Sequence, residues 1–151
     1  MTKTEILDAI NLLLVSKWPD RTVYVDVCPV DFNRPSFWLM VEKYDLTDGN
    51  RFLIRHDLQI RLTLYDELDE HYDASWYRLS QETDAVTELL IRGWMVGRRH
   101  LKPLLKVLPR DPDRAYVQIN LSWMDNRPGL DTGASTPAAD AYSVTVRGDI
   151  N

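Results

Sequence analysis

Hydrophobic and polar positions alternate with two different periods along this chain, and the first period is helical. Apolar residues near the amino terminus recur at spacings of three and four, at Ile6, Ile10, Leu13 and Leu14. Thr2 and Glu5 stand ahead of them in the positions of a capping box. Trp18-Pro19 ends the segment, because proline disfavours the helical conformation in the residue before it. This pattern predicts a first helix.

Strand-like alternation of apolar and polar residues follows. It covers Thr22–Cys28 and Phe37–Tyr44, and Asp45–Asn50 then has the composition of a hairpin turn. The longest strand signal is Arg51–Tyr65, where one parity is apolar except for His56: Phe52, Ile54, Leu58, Ile60, Leu62 and Leu64. One face of that strand is therefore expected in the core, and the other in water or against a polar partner.

The rest of the pattern predicts a second helix and further strands. The helix spans about Ala74–Arg92 and points four residues inward, namely Leu79, Val86, Leu89 and Leu90. Strand character returns in four places: Trp94–Arg98, Leu104–Leu108, Ala115–Trp123 and Tyr142–Arg147. Between the last two, the residues 125–140 are rich in Pro, Gly, Ala and Ser, as in an exposed arm.

These elements predict an α+β fold, with a mostly antiparallel β-sheet packed by two main helices. The chain is expected to be a single domain over residues 1–124, followed by a C-terminal extension over 125–151 that forms an arm or an extra strand. A length of 151 residues favours one domain and suffices for a core without a metal or disulfide.

Composition points to a protein kept inside a cell. Cys28 is the only cysteine, which excludes an internal disulfide and suits a reducing compartment. Nothing in the chain approaches the roughly 20 apolar residues of a membrane span. The amphipathic first segment is interrupted by Asp8 and Asn11, unlike a signal peptide. The net charge of −5 argues against general nucleic-acid binding, which depends on neutralising phosphates.

The residue types of catalytic and metal sites occur without the spacing that such sites need. His56, His71 and His100 have no close partner of zinc-ligand type, and Cys28 has no second thiolate nearby. His56 is expected to be a hydrogen-bonded core or interface residue. The acidic run 66–73 lacks the glycine and the terminal glutamate of a calcium loop. The sequence therefore predicts no cofactor, no metal and no catalytic residue, and a protein that is not an enzyme.

Large aromatic and basic side chains are candidates for protein contacts instead. Five tryptophans and seven tyrosines are more than the core of so small a domain needs, and Trp, Tyr and Arg dominate protein–protein hot spots. Most are expected in the core and some in subunit interfaces. The candidate interface residues are Trp38, Tyr44, Trp76, Arg98, Arg99, Tyr142, Val144 and Val146.

Two segments resemble the phage tail terminator, or tail completion, proteins. They are RPSFWLMVEKYDLTDGNRF from Arg34 to Phe52 and HDLQIRLTLY from His56 to Tyr65. The positions that match the family pattern are Pro35, Phe37, Arg51, Asp57, Ile60, Leu89 and Leu90. The likeness covers about residues 1–124 and rests on hydrophobic signatures of a fold and not on catalytic motifs.

What this resemblance implies is a structural virion protein that forms a ring, typically a homohexamer, at the end of the tail tube. Such a ring ends tube polymerisation and offers a surface to the head or neck connector. The implied partners are further copies of the chain, the tail tube protein, the head or neck connector protein and, in contractile tails, the sheath protein. DNA would pass the lumen only as cargo. The protein would reside in the host cytoplasm during assembly and in the virion afterwards.

Two other functions stay open, a head–tail connector or neck protein and an adaptor that forms no ring. For the ring, the densest acid of the chain is a candidate lumen-facing loop, because negative charge in a bore repels passing phosphates. Its residues are Asp66, Glu67, Asp69, Glu70 and Asp73. The competing interpretation is an outward, solvated loop.

Overall fold

The computed structural model describes residues 1–129. Within them, two helices and seven strands follow one another in this order: α1 (Lys3–Lys17), β1 (Thr22–Val25), β2 (Ser36–Asp48), β3 (Leu53–Tyr65), α2 (Trp76–Ile91), β4 (Trp94–Val96), β5 (Arg99–Leu101), β6 (Leu104–Asp111) and β7 (Arg114–Asn126). The predicted strand Tyr142–Arg147 lies outside the described residues.

Five strands form one sheet in the order β1-β2-β3-β7-β6, and β4 and β5 form a separate hairpin. β1 runs parallel to β2, whereas the other neighbours are antiparallel. The two long central strands, β3 and β7, pair over thirteen positions without a break, from Leu53 opposite Asn126 to Tyr65 opposite Arg114. The predicted α+β fold with a mostly antiparallel sheet is confirmed.

Both helices pack against one face of this sheet. Register places Ile60 between Val41 and Ile119, and the same alternation along β2, β3 and β7 turns every second side chain to the helices. α1 buries Ile6, Ile10 and Leu14, and α2 buries Leu79, Thr83, Val86 and Leu90. α1 lies towards β1 and β4, and α2 crosses β3, β7 and β6. The result is a two-layer domain with one core between helices and sheet.

The start of each helix is fixed by its own sequence. Thr2 caps α1 and Glu5 completes a capping box, as predicted. Ser75 caps α2, with its hydroxyl accepting a hydrogen bond from the backbone N–H of Arg78. The cap therefore sets the first turn of α2 directly after the acidic loop.

The other face of the sheet carries polar side chains and is partly covered by the loop 26–35. At its centre the Arg61 guanidinium pairs with Glu42 at 2.6 Å and lies over the Tyr116 ring. At one end Phe32 packs on Tyr65, with ring centroids 4.1 Å apart. This loop explains why Tyr65, on the polar parity of β3, is fully buried.

Several predicted boundaries were wrong. β2 continues from Asp45 to Asp48, which were expected in the hairpin turn, and the single strand expected over Trp94–Arg98 is instead the β4–β5 hairpin. The first strand ends at Val25 and not at Cys28, because Asp26 adopts a positive φ of 70°. Phe52, predicted on the core face, is 53% exposed because the hairpin turn extends through it. The strand expected to end at Trp123 continues as β7 to Asn126, and the backbone N–H of Arg127 donates to Phe52 O at 2.7 Å.

Candidate functional site

The acidic loop joins the end of β3 to the start of α2. Within it Leu68 and Ala74 form an antiparallel bridge, which closes the loop at its base. The Asp69 carboxylate accepts hydrogen bonds from the backbone N–H groups of His71 at 2.8 Å and Asp73 at 3.0 Å. These two donors hold the pKa of Asp69 below its usual value, so it is ionised as part of the turn. The loop is therefore ordered by its own hydrogen bonds.

Asp66 does not belong to the exposed part of that loop. It is fully buried, and the Nη2 atom of Arg78 lies 3.0 Å from its carboxylate. Arg34 donates to its backbone carbonyl oxygen at 3.1 Å. The prediction that Asp66 faces a lumen was wrong, because its side chain lies inside the fold where α2 supplies the counter-charge. Four candidates remain exposed, Glu67, Asp69, Glu70 and Asp73. Whether they face a bore stays a prediction.

Three aromatic side chains beside the loop are exposed to solvent. Tyr72 is 77% exposed, Trp76 60% and Tyr77 64%, although each has an apolar ring. Trp76 and Tyr77 occupy the first two positions of α2, whose buried face begins only at Leu79. Adjacent exposed aromatic groups are typical of protein contact surfaces and not of an isolated domain surface. Trp76 was a predicted interface residue; Tyr77 and Tyr72 were not among the candidates.

Trp38 and Tyr44 are held by contacts within the domain. The Trp38 indole N–H donates to the backbone oxygen of Asp26 at 3.1 Å, and its side chain is half-buried. The Tyr44 hydroxyl lies 2.7 Å from Nδ1 of His56. Their aromatic character is thus used inside this fold. Tyr142, Val144 and Val146, the remaining apolar candidates, lie outside the described residues.

The basic candidates lie on the β4–β5 hairpin that follows α2. Gly97 turns the hairpin with a positive φ of 60°, and Arg98 lies exposed beside it. Arg99 points towards the sheet, with Nη2 2.7 Å from the Asp125 carboxylate. Met95 pairs with His100 on the outward side of the hairpin and is 55% exposed. The two arginines therefore differ: Arg98 is available to a partner, and Arg99 already has one.

Sequence reasoning missed a polar cluster where the start of β3 meets the end of β7. Asp125 lies 3.4 Å from Nε2 of His56 and accepts the indole N–H of Trp123 at 3.0 Å. The His56 ring stacks on Trp123 with centroids 4.7 Å apart, while its Nδ1 contacts the Tyr44 hydroxyl. His56 was expected to be a hydrogen-bonded core or interface residue; it is hydrogen-bonded and partly buried. The signal for its partners was weak, because they come from two other strands, β2 and β7.

This cluster of tyrosine, histidine and aspartate has the order of a proton relay, yet its chemistry is that of a structural contact. Burial, with a smaller effect of the Asp125 carboxylate, raises the pKa of Tyr44. The hydroxyl is therefore protonated at neutral pH and is not an activated nucleophile. The cluster joins the sheet to the β4–β5 hairpin through Arg99 and to the amino terminus, whose nitrogen lies 3.7 Å from Asp125.

Over residues 1–129, the clefts and helices give no further candidate for a ligand site or a membrane span. A cleft of about 450 Å³ beside the acidic loop is lined by charges of both signs and small residues, namely Asp73, Ala74, Arg110, Asp111 and Pro112. Within the described part of the chain, no three His, Cys, Asp or Glu side chains converge as metal ligands. Neither described helix has the length and apolar character needed to cross a membrane.

The chain matches no known family model and no curated protein. The resemblance to tail terminators stays a prediction from the segments Arg34–Phe52 and His56–Tyr65. The structure adds the exposed side chains at the two ends of α2.

Proposed function

We propose that this protein is a structural subunit of a bacteriophage or phage-like tail. In this proposal several copies form a closed ring that caps the tail tube, ends its polymerisation and provides the surface for head or neck attachment. The single observation that carries an assembly role is the exposed group Tyr72, Trp76 and Tyr77. Burying apolar surface favours association by about 25 cal/mol for each Å² removed from water, before the costs of association are subtracted. The tail itself enters through the resemblance of Arg34–Phe52 and His56–Tyr65 to tail terminators.

A ring at a tube end follows from the geometry of assembly. The open end of a tube is a head-to-tail interface that adds subunits indefinitely. A closed ring that binds this end on one side and presents a different surface on the other stops growth. A structural role also agrees with the chemistry of the Tyr44–His56 pair, since the protonated hydroxyl stabilises the fold and is not poised to react.

The proposed partners follow from this position. They are further copies of the chain, the tail tube protein, the connector of the head or neck and, in a contractile tail, the end of the sheath. DNA would pass through the ring as cargo, and the protein would move from the host cytoplasm into the virion.

Mass measurement and imaging test the proposal. The purified protein is analysed by native mass spectrometry and negative-stain electron microscopy, alone and with purified tail tubes. We expect a closed homo-oligomer, of six copies if the resemblance holds, and capped tubes of fixed length. A strict monomer in both settings would contradict the ring, whereas rings that leave tube growth unchanged favour the neck protein.

A matched pair of variants tests the observation that carries the assembly role. Trp76→Ser removes an exposed ring at the start of α2, and Val30→Ser removes a fully exposed apolar side chain from the loop 26–35. Because both side chains are exposed, the free energy of unfolding of each variant should lie within about 0.5 kcal/mol of the wild-type value. We expect only Trp76→Ser to weaken the oligomer. Equal assembly of the two variants would remove the support that the aromatic group gives.

A further inference from the structure

The two ends of α2 carry exposed surfaces of opposite charge. At its start lies an acidic–aromatic patch, made of the three exposed aromatic side chains and four exposed carboxylates: Tyr72, Trp76, Tyr77, Glu67, Asp69, Glu70 and Asp73. At its end lies a basic–aliphatic patch, made of two exposed apolar side chains with three exposed cations and a histidine: Ile91, Met95, Arg92, Arg98, Lys102 and His100. Each patch combines an apolar part with charge of one sign.

Helical geometry separates the two patches along the axis of α2. The helix has 16 residues, so its ends are roughly 24 Å apart at a rise of 1.5 Å per residue. Tyr77 and Ile91 are separated by 14 positions, or about four turns, and therefore project in nearly the same direction. The patches cannot contact each other within one molecule. Over residues 1–129, each patch is left exposed.

Charge and side-chain chemistry make the two patches complementary to one another. The acidic–aromatic patch has four carboxylates, whereas the basic–aliphatic patch has two arginines and one lysine. A guanidinium or ammonium group placed over Trp76 gains a cation–π contact. The Met95 thioether fits against an aromatic ring better than a rigid aliphatic side chain does. The basic–aliphatic patch of a second copy is therefore complementary in charge and side-chain chemistry to the acidic–aromatic patch of the first.

The residues between the patches decide which symmetry the contact has. Two copies related by a two-fold axis would pack their α2 helices antiparallel, with Tyr77 against Ile91 of the second copy. Asp84 lies seven positions from each and would then face its own equivalent on the axis. Glu88, also exposed, would lie close to the same point. Like charges so placed destabilise a contact. A head-to-tail contact avoids this, because it uses only the two ends of the helix.

We propose that the acidic–aromatic patch of one copy binds the basic–aliphatic patch of the next, head to tail, as the contact between neighbouring subunits. This inference deepens the proposed ring and rests on it, since a head-to-tail contact closes into a ring where the rotation between copies allows it. It also assigns the exposed carboxylates of the acidic loop to the boundary between subunits and not to a DNA-conducting bore.

Reversing the charge of each patch separately tests the contact. The acid-reversed variant carries Glu67→Lys, Glu70→Lys and Asp73→Lys. It leaves out the buried Asp66 and also Asp69, whose carboxylate holds the turn of the loop. The base-reversed variant carries Arg92→Glu, Arg98→Glu and Lys102→Glu. It leaves out Arg99, which pairs with Asp125. Each set changes exposed side chains, so circular dichroism and the unfolding midpoint should match the wild type.

Each variant alone should lose self-association, with a dissociation constant raised at least tenfold, because its two patches then carry the same sign. An equimolar mixture of the two variants should assemble again, in strictly alternating order, since each patch meets one of opposite sign. A single chain with all six substitutions should also assemble. Native mass spectrometry at low ionic strength reads out all four samples, and the mass difference between the variants reports whether the mixed oligomer has the equal stoichiometry that alternation requires.

Three results would overturn the contact: assembly of the single variants as in the wild type, failure of the mixture to recover while both variants remain folded, or a wild type that is monomeric at every concentration both alone and with tail tubes. Tube capping separates this outcome from the proposed function. Rings that cap tubes and survive both reversals would refute the contact and leave the function standing. Rings that depend on the patches but cap no tube would support the contact and refute the proposed function. Intact rings with slow DNA ejection from acid-reversed particles would place the loop in the bore instead.

Discussion

The ion pairs of Asp113 predict how the stability of the domain depends on acid. Asp113 lies in the turn between β6 and β7, and its carboxylate accepts hydrogen bonds from Arg114 at 2.7 and 3.0 Å. Arg34, from the loop 26–35, donates to the same carboxylate at 2.9 Å. Arg114 first, and Arg34 after it, lower the pKa of Asp113 from 3.8 to about 2. The change to make is Asp113→Asn, which keeps the size of the side chain and removes its charge.

The lowered pKa translates into stability because the unfolded chain binds the proton more readily than the folded protein does. One pKa unit corresponds to about 1.4 kcal/mol, so a carboxyl group that titrates near 4 unfolded and about 2 folded contributes about 2 kcal/mol to the free energy of unfolding. The Asp113 side chain is 24% exposed, and solvent screening therefore lowers this contribution from the roughly 2.4 kcal/mol of the full shift to about 2 kcal/mol. It is fully present above the unfolded pKa and is lost as pH falls from about 4 to about 2.

Urea unfolding at several pH values checks this magnitude. At pH 7 the free energy of unfolding of Asp113→Asn should lie about 2 kcal/mol below that of the wild type, and the gap should close between pH 4 and pH 2. Asp20→Asn is the control, since Asp20 is exposed and has no ion pair within residues 1–129. It should show no such gap. A gap that stays constant with pH, or one below about 0.5 kcal/mol at pH 7, would refute the reasoning.

Three further predictions concern stability. Leu90→Ala should lower the free energy of unfolding by about 3 kcal/mol in urea, because it leaves a cavity in a fully buried site; a loss under about 1 kcal/mol would contradict the predicted core. Glu82→Leu should lower the free energy of unfolding by about 3 kcal/mol, because it leaves the largely buried Arg21 unpaired. Adding Arg21→Met should recover much of this loss in a double-mutant cycle, and additive losses would count against the ion pair. Gly93→Ala should lower the free energy of unfolding by more than about 3 kcal/mol, since its Cβ would lie 2.2 Å from a backbone oxygen at a φ of +78°. Gly97→Ala, with open space around it, should lower it by only about 1 kcal/mol, and equal losses would refute the steric argument.

Local pattern alone sufficed for both helices and for the buried face of β3 and β7, but it did not show the β4–β5 hairpin, where one strand over Trp94–Arg98 was expected. The capping box at Thr2 and the apolar parity of β3 and β7 can be seen in the sequence, because caps involve neighbouring residues and strand alternation has a period of two. The fold class follows, since amphipathic helices and half-apolar strands must bury their apolar sides against one another. The exposure of Trp76 also has a local reason, because it lies at the start of α2, ahead of the buried residues.

Tertiary structure decided which polar groups are buried and what they bind. Asp66 stands in an acidic run that pattern alone assigns to solvent, yet it is fully buried and Arg78 lies 3.0 Å from its carboxylate. Asp113 pairs with Arg34, 79 positions away, and His56 meets Asp125 only because β3 and β7 are neighbours in the sheet. Periodicity specifies the direction in which a side chain points relative to its own element. It contains no information about the element that lies opposite, and the burial and pairing of a charge depend on that partner.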